Sequence, residues 1–100
     1  MKEIKAIIQP FMLSHVLDAL HEIEGLPGVT VSEVRSIDLE RGSVQQVTKV
    51  KLELMVADEQ AQIVVQAIHT HAHTGKPGDG RIFVIPIEET VKISEGVQHE

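Results

Sequence analysis

The first quarter of the chain passes from strand-like to helix-like spacing of apolar residues. From Lys2 to Ile8 the residues alternate and then become wholly apolar, which is typical of a strand in the middle of a sheet, and Pro10 ends it. Apolar residues then recur every three or four positions, which predicts an amphipathic helix that stops at Gly25. These helical positions are Leu13, Val16, Leu17, Leu20 and Ile23.

The next two apolar segments alternate with a period of two residues. A strand is predicted from about Val29 to Asp38, followed by a polar connection from Glu40 to Gln46 and a second strand from Thr48 to Val56. Alternation in this last strand predicts one aliphatic face and one mixed face. The aliphatic face holds Val50, Leu52, Leu54 and Val56, and the mixed face holds Lys49, Lys51, Glu53 and Met55.

A second helix and another strand complete the pattern. Asp58 is a suitable N-cap for the helix, which ends before Gly75, and its apolar stripe is Ala61, Val64, Val65, Ile68 and Ala72. Ile82 to Ile85 forms the next strand, and Val91 with Ile93 extends the pattern to a short fifth. The order β-α-β-β-α-β predicts an α+β, ferredoxin-like sandwich with an antiparallel sheet and two helices on one face. Oligomerisation would protect the other face and the sheet edges.

Composition narrows the class of protein. One hundred residues, 42% of them hydrophobic, suit a single domain over residues 1–100. The formal charge of −6 argues against nucleic acid as a partner, and the absence of Cys excludes a thiolate nucleophile or a cysteine zinc site. No apolar run is long enough for a signal peptide or a membrane span, so we expect no membrane insertion and a cytoplasmic location.

Two segments carry candidate chemistry. Thr74 to Gly80 holds three glycines beside Lys76 and Arg81, which suits a phosphate nest but equally a helix cap followed by a turn. His69, His71 and His73 could bind a metal, or could answer the partial negative charge of a helix C-terminus. The carboxylates and serines form no recognisable catalytic group, so no enzyme activity is expected.

Four blocks in order resemble the P-II nitrogen-regulatory signalling proteins. The chain opens with MKEIKAIIQPF, and its glycine-rich segment reads TGKPGDGRIFV. GVTVSEV and KVKLELMV are similar to the family's second and third strands. The likeness runs from Met1 to about Gly96, nearly the whole chain.

The resemblance implies a homotrimer that binds an adenine nucleotide (ADP, AMP or ATP) between neighbours. It also implies that the trimer regulates a partner protein, a membrane transporter or another target, through a protruding loop. By matching position, Lys49 is associated with 2-oxoglutarate and phosphate. The phosphates would lie beside Gly78, Asp79, Gly80 and Arg81, and the adenine and ribose beside Gly28, Thr30, Glu53 and Met55.

The chain departs from the family pattern at three places. The segment from Ile37 to Val47 is shorter by about ten residues and holds no Tyr to uridylylate. Ser36 and Glu40 replace a glycine and a glutamine that help to bind nucleotide and the magnesium–2-oxoglutarate complex. Lys92 and Ser94 replace two arginines that reach the neighbour's phosphates, which implies a preference for ADP or AMP over ATP.

Two alternatives remain open at this point. One is a divalent-metal-binding trimer of the cation-tolerance type that uses His69, His71 and His73 as ligands. The other is a small acyl-phosphate hydrolase on the same fold.

Overall fold

A computed structural model describes residues 1–39 and 45–96. The strands are β1 (Lys2–Ile8), β2 (Thr30–Asp38), β3 (Gln45–Val56) and β4 (Gly80–Pro86), and the helices are α1 (Leu13–His21) and α2 (Ala61–Ala72). All neighbouring strands are antiparallel, in the order β2-β3-β1-β4. This architecture confirms the predicted α+β, ferredoxin-like fold.

The core lies between the sheet and the two helices. Alternation places Ile4 and Ile8 of β1, and Leu52 of β3, against the helices, where each is at most 1% exposed. The helices cover them with aliphatic stripes in which Val16, Val64 and Ile68 are fully buried. Burial of one such side chain stabilises the fold by about 1.5–3 kcal/mol, so the helix-facing side of the sheet supplies much of the stability.

The β2–β3 hairpin extends beyond the rest of the sheet. β1 pairs with β3 only over Val50–Val56, whereas β2 remains paired to β3 as far as Asp38 and Gln45. The outer part of the hairpin is therefore a two-stranded ribbon. The predicted start of the third strand at Thr48 is three residues late, because Gln45–Val47 pair with Ser36–Asp38. The predicted role of Glu40 lies outside the described residues.

Asp58 does not cap α2, so that prediction is wrong. Asp58 begins a 3-10 turn, Asp58–Gln60, and α2 starts at Ala61 without a side-chain cap. The Asp58 carboxylate instead accepts a hydrogen bond from the amino group of Met1 at 2.7 Å. This hydrogen bond, with the positive charge of the amino group, lowers the pKa of Asp58. The Asp58 carboxylate therefore bonds to a residue that is distant in sequence and does not cap the helix.

The predicted fifth strand is absent from the described residues. After β4 the N–H of Ile87 still bonds to the carbonyl of Met1, and the chain then leaves the sheet. A turn closed by the N–H of Glu95 and the carbonyl of Lys92 follows, and Ile93 is fully exposed.

Candidate functional site

The glycine-rich loop joins the end of α2 to the start of β4. Its glycines at 75, 78 and 80 have φ of +84°, +90° and +116°, which side chains other than glycine rarely adopt. A Cβ at Gly80 would lie 1.8 Å from the carbonyl oxygen of Ile7, so no other residue fits there. The loop therefore has one tightly specified backbone path against β1.

Lys49 lies beneath this loop. Alternation places it on the face of β3 away from the helices, yet it is only 8% exposed, and its Nζ donates a hydrogen bond to the carbonyl of Gly78. A cavity of about 370 Å³ lies beside this contact, between the loop and the β2–β3 ribbon. We name it the loop cavity. Its lining includes Gln9, Ser36, Ile37, Val47, Lys49 and Gly78.

A second cavity of about 640 Å³ lies toward the other end of β3 and collects four predicted residues, Gly28, Thr30, Glu53 and Met55. We name it the acidic cavity, because Glu3 lines it together with Glu53. Sequence reasoning missed Glu3. Alternation does place Glu3 away from the helices, but its position directly opposite Met55 depends on β1 pairing with β3.

The predicted site residues thus form separate groups within one chain. Lys49 joins Gly78 at the loop cavity, and the four residues of the second group lie at the acidic cavity. Lys49 and Glu53 are four positions apart on β3, about 14 Å at the usual rise of a strand. Lys92 joins neither group: its side chain is 78% exposed, and its nearest charged partner is Glu95 at 4.0 Å.

A third cavity, between the end of α2 and the start of β4, is lined by the remaining predicted residues except His71. This cavity of about 400 Å³ has an aliphatic floor that includes Ile8 and Ile82. We name it the histidine cavity. The polar and charged residues of its lining are His69, His73, Asp79 and Arg81.

The structure does not bring the three histidines together within one chain. The rings of His69 and His73 stack with their centroids 5.4 Å apart, whereas Nδ1 of His71 lies 2.8 Å from the carbonyl oxygen of Ala67. His71 is two positions from each of the others and so points to a different side of the helix. Within residues 1–39 and 45–96, no three His, Cys, Asp or Glu side chains could hold one metal ion.

Asp79 is the most highly bonded side chain of the loop. Its Oδ2 accepts hydrogen bonds from the N–H groups of Thr74 at 2.8 Å and Gly75 at 3.0 Å, and its Oδ1 accepts from the Thr74 hydroxyl. Bonds from the Thr74 hydroxyl and the Thr74 backbone are the main causes that lower the pKa of Asp79. Nδ1 of His73 lies 3.6 Å from the same Oδ2.

The fold and these cavities define the class of protein: a small ferredoxin-like sandwich with a tight glycine loop over a buried lysine. The sequence model of the family described as "Nitrogen regulatory protein P-II" matches residues 1–97. The P-II protein of Azospirillum brasilense is 42% identical over an alignment covering 96% of this chain and 94% of that protein. The P-II protein of Pasteurella multocida is 40% identical and covers 100% and 97%.

The chain belongs to the P-II family. Members of this family are signal-transduction regulators and not enzymes, as the sequence predicted. Of the helices that the structure describes, neither has the length and apolar character needed to cross a membrane.

Proposed function

We propose that this chain is a signalling regulator that binds an adenine nucleotide between copies of itself in a homotrimer. The charges of two cavities support one orientation of the nucleotide, with its phosphates at the loop cavity and its base and ribose at the acidic cavity. Among the residues that the structure describes, the loop cavity is lined by one cation, Lys49, and one carboxylate, Asp38, whereas the acidic cavity is lined by Glu3 and Glu53 and by no Lys or Arg. Anionic phosphates are attracted to the first and repelled by the second, which leaves the acidic cavity for the base and ribose.

The separation of the two cavities supports a site shared between copies. The cavities lie toward opposite ends of β3, and each one contains only part of the residue set implied for one nucleotide. A neighbour that supplies the complementary cavity would complete the set. Such a neighbour would also cover Met55 and Phe83, which are 46% and 39% exposed on the side of the sheet away from the helices.

The charge available to the phosphates favours ADP or AMP over ATP. The amino group of Lys49 already bonds to the carbonyl of Gly78, and Lys92 lies apart beside Glu95. Ser94 carries no charge. A third phosphate would add negative charge, and few cations are available to bind it. Charge-assisted hydrogen bonds are the strong contacts of a phosphate site.

Calorimetric titration with ATP, ADP and AMP, combined with the molar mass in solution, tests this proposal. Saturable binding by a trimer, with ADP or AMP tighter than ATP, is the expected result. A monomer, or a trimer that binds none of the three nucleotides, would contradict it.

The β2–β3 ribbon is the proposed contact with the regulated protein, a membrane transporter or another target. It projects from the sheet and carries Ile37 and Val47, which are 50% and 45% exposed, and Leu39 follows it at 87% exposed. The Leu39→Ser variant should bind ADP like the wild type but capture less of the target from detergent-solubilised membranes. Equal capture by both proteins would exclude Leu39 from the contact.

A further inference from the structure

The carboxylate of Asp79 is turned back into its own loop. Three donors from Thr74 and Gly75 reach its two oxygens, and its side chain is only 21% exposed. Hydrogen bonds to a charged carboxylate are shorter and stronger than bonds between neutral groups, so these three hold the two ends of the loop together. The role of Asp79 at this position is therefore to close the loop.

Thr74 forms the other half of this closure, because its hydroxyl makes two bonds at once. The hydroxyl donates to Asp79 and accepts a hydrogen bond from the N–H of Lys76 at 3.3 Å. Serine could make both bonds, but valine, with the same shape as threonine, could make neither. We name the Thr74–Asp79 hydrogen bonds the loop clamp.

The loop clamp leaves other N–H groups of the loop available. Asp79 takes the N–H groups of Thr74 and Gly75, but no hydrogen bond among the described residues uses those of Gly78 and Asp79. Adjacent free N–H groups in a glycine-rich turn are the donors of an anion nest. The clamp determines the path of the backbone that presents them.

We propose that Thr74 is a positioning residue of the phosphate site, acting through Asp79 to hold the glycine-rich loop ready for the nucleotide. This inference rests on the proposed function, because it takes the loop to be the part that holds phosphate. Binding groups fixed before the ligand arrives avoid the ordering cost of binding. Loss of the clamp should therefore weaken nucleotide binding without removing any group that touches the nucleotide.

The test compares ADP affinity in three variants. Thr74→Val should weaken ADP binding about tenfold, as expected for one or two lost hydrogen bonds, and Thr74→Ser should stay within about twofold of the wild type. Thr70→Val is the matched control, because Thr70 is an exposed threonine of α2 whose hydroxyl oxygen accepts a hydrogen bond from the Gln66 side chain, away from the loop. It should not change ADP affinity. Wild-type affinity in Thr74→Val would overturn the proposal.

One further measurement separates this inference from the proposed function. Amide exchange of Thr74 and Gly75 should be fast in Thr74→Val and protected in Thr74→Ser, whether or not ADP binds. Equal protection in both would overturn the clamp, and absence of ADP binding by the wild type would overturn the proposed function.

Discussion

The two faces of the sheet differ in almost every respect. In the two central strands, over Ile4–Ile8 and Val50–Val56, the face toward the helices is aliphatic and buried, with Ile4 and Leu52 at 0% exposure. The other face mixes charge with apolar side chains, and Met55 and Phe83 remain 46% and 39% exposed. A face that holds the fold together needs only volume and hydrophobicity, whereas one that receives a ligand or a second copy needs charge and accessible surface.

Lys49 is an informative exception on the open face. The strands alone would leave its side chain in solvent, but the glycine-rich loop covers it and accepts its hydrogen bond at Gly78. A buried ammonium needs such a partner, because loss of its hydration is costly. The open face is therefore closed at one end by the loop and remains accessible at the other, where the acidic cavity lies.

The largest expected effect comes from shortening one side chain on each face of β3. Leu52→Ala should lower the free energy of unfolding by about 3 kcal/mol, because it leaves a cavity in the core. Met55→Ala should cost less than about 1 kcal/mol, because its side chain is nearly half exposed. Urea denaturation of both variants measures the difference. Equal losses would contradict the contrast between the two faces.

A smaller effect, on binding rather than stability, is expected from Arg81→Ala. This substitution should weaken ADP binding by about 1.5–3 kcal/mol, the usual range for hydrogen bonds to a charged group. Arg35→Ala is the matched control, because Arg35 lies exposed on β2 and lines none of the three cavities described above. Calorimetry with ADP measures both variants. Unchanged affinity in Arg81→Ala would exclude Arg81 from the phosphate site.

The smallest effect is expected from Asp58, whose carboxylate pairs with the amino group of Met1. Its pKa is lowered in the folded protein by the amino group of Met1. A carboxyl group with a lowered pKa stabilises the fold above its unfolded pKa, and that contribution is lost as pH falls through the folded value. Wild type should therefore melt at a higher temperature than Asp58→Asn at pH 7, and the difference should shrink toward pH 3. A difference that is the same at both pH values would contradict this ion pair.

Most of the fold could be predicted, because the spacing of apolar residues indicates the type of each element and its buried face. Alternation along β3 predicted its buried aliphatic residues, though not the burial of Lys49, and the helical stripe from Ala61 to Ala72 predicted the face of α2 that packs on the sheet. Prediction was wrong where a distant partner decides. Asp58 has the residue type of a helix cap, but the amino group of Met1, 57 positions away, holds its carboxylate.

In the candidate site, too, residues of a local pattern could be predicted and residues placed by tertiary contacts could not. The glycines and Arg81 could be found from the sequence because they form a compact local pattern. Glu3 could not, because its place at the acidic cavity requires β1 to pair with β3 in one particular register. The contact of His71 with the carbonyl of Ala67, away from His69 and His73, could not be predicted either, because spacing in sequence does not state which way a side chain turns on the helix.

The sequence by itself determined the order of the elements, their buried faces and the family, because these depend on local period and on residue type. Tertiary structure alone decided that Lys49 lies buried under the loop, that Asp79 bonds to Thr74 and Gly75, and that the predicted nucleotide residues divide between cavities. The physical reason is that these contacts join segments whose distance and orientation are set by strand pairing and helix packing, and no local pattern encodes either.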